Sequence, residues 1–540
     1  MPTDAWGIDD GWQTSDGRWQ PANPDTIETF RSLIGEPLPT PTADAGTRRQ
    51  VRHYPERAWG VTAQVFSLRS PWGVGGVTQI GEVGRWIAGL GGSVVGLSPL
   101  GDPLPVTPRP PSPYSPSSRE TLDPLVIDPS RWGATPPPGV GRHDEPGSII
   151  DRDAAWAAIR AELELRWQVE RASRRASGTT APDAGPLAAR HATFTALAEH
   201  HGGGWRTWPV ELHDPRSPTV AAWIEAHRAL VDFWGWVDAT ADAQLSDCSS
   251  ALRSLGVSLM GDLPVGVHPS GADAWYDQEL LAPGVTVGAP PDTFNPAGQD
   301  WALPAYLPHA LRESGFEPVR RMIAAALRWY GGLRVDHVMG WFRLFWIPDG
   351  AGPEDGTYVR YPARELIDAV VHEVDDAGAF LVGEDLGTVE PEVRREMAAR
   401  GIASTKVALF ESRTRRRWPE RSLGALTTHD LPTVRGLLEH RDPRWDPRLA
   451  RSLRRFAGRP RRDPRRVAEA AHGRLGRSRS GLVLATLEDL AWSADRVNLP
   501  GTIDEYPNWR VPMPVDIATL AEDPFARRCA DALRRSRSDR

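Results

Sequence analysis

The sequence predicts an α/β protein, a (β/α)8 TIM barrel with large, mainly helical insertions after the second and third strands. Three observations carry this. From about Val51 onward, short apolar, β-rich runs recur, and most end at a glycine or a polar residue. Runs such as 380–385 and 481–487 are apolar on both faces, as buried parallel strands require. Helical patterns lie between several of the runs, which is the alternation of a βα barrel. An open doubly wound sheet competes, but it does not normally need eight such runs.

In chain order the runs are VTAQVFSL (61–68), SVVGLSPL (93–100), VSLMGD (257–262), GLRVDH (332–337), FLVGED (380–385), TKVALFE (405–411), LGALTTHD (423–430) and GLVLATLED (481–489). Helical periodicity marks VTQIGEVGRWIAGLG, PARELIDAVVHEVDDAG and EPEVRREMAARG. The link between the sixth and seventh runs, SRTRRRWPERS, is short for a full helix. Residues 1–50 read as an N-terminal appendage, with one short helix in PDTIETFRSLIG and a linker in PLPTPTADAGTRR. Residues 51–540 form the barrel. Two gaps, at about 101–256 and 263–330, are too long for simple loops and must be inserted subdomains. The first opens on proline-rich DPLPVTPRPPSPYSP and continues into long helices.

Composition narrows the function. A net charge of −7 gives no global pull toward nucleic acid or membrane. The arginine-rich stretch 444–479 holds only two of the bulky aromatics, Trp445 and Phe456, and with the overall acidity reads as a solvated helix face. Cys248 and Cys529 are the only cysteines, which excludes a disulfide framework or a cysteine zinc site and fits a reducing compartment. The acidic start MPTDAWGIDDGWQ has no signal-peptide pattern, and no apolar run approaches a membrane span. The expectation is a cytoplasmic protein. Lys406 is the sole lysine, a bias that genome composition explains. The 23 tryptophans suit stacking on sugars as well as core filling. GVGG and GLGGSVVG lack the spacing of a dinucleotide loop and read as turns.

Catalytic groups of a βα barrel sit at the C-terminal ends of its strands. Those ends carry Asp262, Asp336, Glu384 with Asp385, and His429 with Asp430. Asp336 is the most conspicuous, set inside the otherwise apolar GGLRVDHVMGWFRLFWIP, where charge is costly unless paired or used. Carboxylates converging on one mouth serve glycoside cleavage: one attacks the anomeric carbon, a second acts as acid and base, a third steadies the cationic transition state. Arg334, two residues before Asp336, points to the same side of a strand and can keep that carboxylate ionised. A divalent-metal hydrolase and plain structural salt bridges stay open on residues alone. Asp262 reads as a brace between strands, and Asp385, on the opposite face from Glu384, as a structural partner.

In order along residues 56–515 come SPWGVGG, SPYSPSSR, GDLPVGV, PPDTFNPAGQDW, LRVDHVMGWFRLFWIP, TYVRYPARELI, LVGEDLGTVEPEVR, TTHDLPT and NLPGTIDEYPNWR. With this series the sequence resembles the 4-α-glucanotransferases, the amylomaltase or disproportionating-enzyme family of the α-amylase superfamily. The resemblance implies Asp336 as nucleophile, Glu384 as general acid/base and Asp430 as transition-state stabiliser. It implies Arg334 and His429 around the −1 sugar. Asp292, Phe294, Gln299 and Trp301 match a loop that closes over the glucan. Ser112 and Tyr114 match a groove-lining segment, and Asn508 a polar position near bound sugar. No metal and no organic cofactor is implied; His268 and His337 are isolated, structural or sugar-bonding. The partners implied are α-1,4-glucans and maltooligosaccharides.

The chain departs from the family pattern in three places. Thr293 stands where many members carry an aromatic, STKVALFES is an unusual sixth strand that keeps a carboxylate in Glu411, and residues 6–36 look like the opening piece of a longer N-terminal β-rich domain. The activity implied is transfer of α-1,4-glucan segments with retention through a covalent glycosyl-enzyme. The rivals are a hydrolase using the same carboxylates and a non-catalytic glucan-binding protein.

Overall fold

Eight parallel strands close into a barrel: β1 (Ala58–Ala63), β2 (Val94–Leu97), β3 (Ser258–Leu263), β4 (Gly332–Val335), β5 (Phe380–Gly383), β6 (Ala403–Val407), β7 (Ser422–Ala425) and β8 (Leu482–Thr486), with β8 pairing β1. This computed structural model describes residues 3–14, 17–37, 49–141, 143, 145, 147–177, 185–292, 295–387, 389–410, 418–458 and 462–538. Thr293, Phe294, Glu411 and most of the 37–49 linker lie outside the described residues.

Each of the eight sequence runs meets a barrel strand, but all the observed strands except β3 are shorter than their runs, and most of the runs overshoot them at the C-terminal end. The first is displaced furthest. VTAQVFSL reads as a strand, yet β1 begins at Ala58, and Val65–Ser67 is already a 3-10 turn. Gly60 is required there, because a Cβ would fall 1.8 Å from the Val94 carbonyl of β2. The overshoots elsewhere are loops that carry Asp336, Glu384 and Asp430 off the strand ends. Inside the barrel, Met260, Phe380, Val382, Leu423, Ala425, Leu482 and Leu484 fill the bore, so it is a packed core rather than a channel.

Helices cover the barrel where the periodicity predicts them, at Val77–Gly89, Ala363–Asp376 and Pro391–Ala399. Between β2 and β3 the insertion is helical, with Arg152–Ser177, Gly185–His201 and Arg228–Ser254. Between β3 and β4 short helices accompany two strands, Val285–Ala289 and Gln299–Leu303. These join Arg343–Pro348 and Thr357–Arg360, after β4, in a four-stranded antiparallel sheet. Sequence periodicity misses that sheet: its strands are short and it is assembled from two separate excursions.

The N-terminal residues dock on the same sheet. Asp9, fully buried, binds Arg343 and Arg360; Trp12 meets Phe345 edge-on, and Phe30 of helix Pro24–Ile34 meets Trp346. Among the described residues, no helix is long and apolar enough to cross a membrane.

Candidate active site

Strand register builds the site. Asp262 of β3 is the direct neighbour of Arg334 of β4, so both side chains enter the mouth of the barrel side by side. Arg334 places Nη1 2.6 and 2.7 Å from the two Asp262 oxygens, and its Nη2 lies 3.0 Å from Asp336 Oδ1. Asp336 follows β4 directly, its N–H donating to the Leu263 carbonyl at 3.0 Å. Glu384 follows β5, with its N–H on the Val335 carbonyl at 2.9 Å. The Glu384 carboxylate accepts from the N–H of His337 at 3.1 Å and of Leu386 at 2.6 Å.

Beyond β7, His429 Nε2 lies 3.1 Å from Asp430 Oδ2, and Asn498 Nδ2 donates to Asp430 Oδ1 at 2.7 Å. Tyr114 closes the ring of contacts. Its hydroxyl donates to Asp262 Oδ2 at 2.9 Å, and its ring lies 5.0 Å from that of His429. Asp336, Glu384, His429 and Asp430 line one cleft of about 370 Å³, shared with Ser112, Tyr114, Gln299, Trp301 and Trp509.

The three carboxylates sit in different electrostatic surroundings. Burial pushes Asp336 up to about 6, with Arg334 opposing the rise. The sequence suggests that Arg334 holds Asp336 ionised; it does so only in part, because burial outweighs it and the neighbouring Asp262 charge adds to the rise. Burial also raises Glu384 to about 7, against the pull of Arg334, and Asp336 adds to the rise. Asp430 goes the other way. Burial disfavours its charge, but His429 and Asn498 outweigh that and bring it down to about 2. One fixed carboxylate and two poised near neutrality is the division that acid–base chemistry on a sugar needs.

The profile of the 4-alpha-glucanotransferase family matches residues 63–518. The chain belongs to that family. Curated 4-alpha-glucanotransferases from Mycobacterium tuberculosis are 39% identical over 537 residues, covering 88% of this chain and 74% of theirs. The one from Haemophilus influenzae is 30% identical over 531 residues, covering 84% and 75%. The amylomaltase of Corynebacterium glutamicum superimposes with a TM-score of 0.81 at 25% identity over 98% of both chains. In fold alone, the Streptococcus agalactiae amylomaltase solved with acarbose follows at 0.76 and 19%, covering 89% of this chain and 99% of its own.

Within this glucanotransferase, most residues singled out from sequence meet at the cleft. Gln299 and Trp301 alternate along one strand, which turns both to the cleft, and Trp301 Nε1 donates to Gln299 Oε1 at 3.1 Å. Ser112 accepts the Tyr114 N–H at 3.3 Å and holds that aromatic in place. Asp292 is not among the cleft-lining side chains; it accepts the Asn295 N–H at 2.6 Å in the turn before strand Gln299–Leu303. Phe294 is outside the described residues.

Asn508 is not brought to the cleft. Its amide is spent inside its own loop, accepting from Leu499 N–H at 2.8 Å and donating to Thr502 at 2.9 and 3.0 Å. Its neighbour Trp509, at φ 60°, is turned inward and packs 5.3 Å from Tyr114. Of this motif it is Trp509, not Asn508, that lines the cleft. Sequence reading misses Asn498, ten residues upstream, for which an amide within reach of an acid gives no sequence signal. Asp262 is the brace expected, and Asp385 is buried away from the cleft against Arg394, the Thr405 N–H and the sole lysine, Lys406.

Proposed function

We propose that this 4-α-glucanotransferase acts on α-1,4-linked glucans and maltooligosaccharides through a covalent intermediate on Asp336. The Asp336 carboxylate attacks C1 of the sugar at the cleavage point. The C1–O4 bond breaks, and the Glu384 carboxyl gives its proton to the departing O4. The shortened chain leaves with a new 4-hydroxyl, and the donor segment stays as an ester on Asp336. In the second half, Glu384, now ionised, takes the proton of an incoming 4-hydroxyl as that oxygen displaces Asp336 from C1. Two inversions retain the configuration.

Asp430 faces the cleft as a fixed negative charge and stabilises the positive sugar ring. Arg334 shares its charge between Asp262 and Asp336, so it helps Asp336 depart as a carboxylate. Trp301, Tyr114 and Trp509 offer ring faces and edges to glucose units. Bonds of like kind are exchanged, so transfer prevails only where the acceptor side keeps water out.

The observation that carries this reading is the shared cleft. Asp336, Glu384 and Asp430 come from three different strand ends and face one space. Two measurements test it. Quenching the protein with an activated glucosyl donor should leave a glucosyl mass on the peptide holding Asp336. Maltotriose should yield glucose and longer oligomers with total reducing ends constant. A glucosyl mass elsewhere removes Asp336 from the role, and steadily rising reducing ends make the protein a hydrolase.

A further inference from the structure

The residue after the nucleophile has a backbone that L-residues seldom adopt. His337 lies at φ 45°, ψ 60°, in the left-handed region, where histidine is tolerated better than most but where a non-glycine still costs free energy. Two contacts meet at this turn. The His337 N–H donates to Glu384 Oε2 at 3.1 Å, and the left-handed backbone directs the ring toward the cleft, 5.2 Å from Trp301 and nearly perpendicular to it.

The surroundings leave the turn no slack. The next N–H, of Val338, donates to the Glu384 carbonyl at 3.1 Å, and the His337 carbonyl accepts from Gly340 at 2.8 Å. On the far side, a Cβ on Gly383 would fall 3.0 Å from Val338 and 2.7 Å from Met397, so glycine there lets the two strand ends close on each other. Trp301 belongs to strand Gln299–Leu303 of the antiparallel sheet, not to the barrel, and is tied to Gln299. The His337 ring is therefore a point where that sheet touches the carboxylate machinery.

We propose that His337 is a positioning residue that couples the two halves of the cleft: its N–H, held in place by the left-handed turn, orients Glu384 next to Asp336, and its ring seats Trp301. The proposal rests on the catalytic reading above. Burial keeps the imidazole neutral, with Arg343 adding to the effect and bringing it down to about 4, so the ring acts by packing and hydrogen bonding rather than by charge. The titratable groups facing Glu384 and its neighbours are Arg334 and Asp336 from β4, Asp262 from β3, His429 and Asp430 beyond β7, and Tyr114 from the first insertion. None of them replaces the N–H of His337.

Three variants of the full chain separate the two halves. His337→Asn accepts the left-handed backbone and removes the ring; His337→Gly does the same with no side chain; His337→Val resists the backbone. With maltotriose, Asn and Gly should each raise the share of cleavages ending in water by roughly fivefold, as the Trp301 seat is lost and water enters. Both should keep the wild-type alkaline limb in the pH profile of kcat/KM. Val should displace that limb upward, because losing a hydrogen bond to the charged carboxylate favours its protonated form, and should lower kcat by about tenfold or more through misplacement of Glu384.

The proposal is overturned if Asn and Gly partition between water and sugar as the wild type does. It is equally overturned if Val, folded by its melting curve, keeps the wild-type limb; should Val not fold, the Asn and Gly partition decides alone. Asp336→Asn serves as the separate control. If it stays active the catalytic reading fails, whatever the His337 variants do.

Discussion

Two arginines in one stretch of chain, nine residues apart, are each held by two acids, and only one of them, the half-buried Arg334, serves a cleft. Arg334 pairs with Asp262 and Asp336. Arg343 pairs with Asp9 and Glu390. The difference lies in how far the acids are satisfied. Asp9 is 0% exposed and takes Thr3 and Arg360 Nε on one oxygen and Arg343 and Arg360 Nη2 on the other. Asp336 is 22% exposed to the cleft and receives its ion pair from Arg334 alone among the described residues. A saturated buried carboxylate anchors structure. An under-bonded one at a cleft wall retains lone pairs for chemistry.

The largest effect breaks the comparison from the catalytic side. Asp336→Asn should lower the transfer rate by about ten-thousandfold or more, as loss of a covalent nucleophile does. Its melting temperature should stay at or above that of the wild type, since a raised carboxyl is relieved. Asp9→Ala should do the reverse. Leaving Arg343 and Arg360 without their shared acid costs about 3–5 kcal/mol of stability, with kcat per folded molecule unchanged. Melting curves and active-site-normalised rates on both variants would sink the contrast if Asp9→Ala lost turnover and Asp336→Asn lost stability.

Next in size is the shared guanidinium. Arg334→Leu takes the shared guanidinium away, so Asp336 rises further and the ionised nucleophile becomes scarce at neutral pH. The rate should fall by about a hundredfold or more. The surviving activity should move its acid limb upward from the region of 6 where Asp336 stands in the wild type. In the wild type, activity needs Asp336 ionised and Glu384 protonated, so the profile should be narrow, between limbs near 6 and 7. An acid limb that stays in place in Arg334→Leu would show that this arginine does not govern Asp336.

What was readable from sequence follows the same line. Asp336, Glu384 and Asp430 sit within a few residues of strands whose register is fixed on both sides, so a correct strand reading places the side chain as well. Asp262 is set against Arg334 by direct pairing, and the alternation of Gln299 and Trp301 is a property of any strand. Asn508 and Trp509 differ because no strand fixes them. Their loop is shaped by the Asn508 amide bridging Leu499 and Thr502, and by a left-handed Trp509, neither of which leaves a periodic trace. The antiparallel sheet that seats Trp301 was unreadable for a related reason: its four strands come from two excursions separated by β4.

The smallest effect concerns a third buried acid, one with no ion pair among the described residues and outside the cleft lining. Glu488 lies just beyond β8, 8% exposed, and its Oε1 has no hydrogen-bond partner among the described residues. Burial pushes it up to about 7. A carboxyl raised in the folded state contributes stability that is complete below its unfolded value and is lost as pH rises through the folded one. Glu488→Gln has no such titration. Its melting temperature should therefore match the wild type near pH 4 and exceed it by a few degrees near pH 8.5, where the wild type carries an unpaired buried charge costing on the order of 2–3 kcal/mol. A gain of equal size at both pH values would assign the effect to packing, and a deficit that grows with pH would mean that the ionised Glu488 has a partner after all.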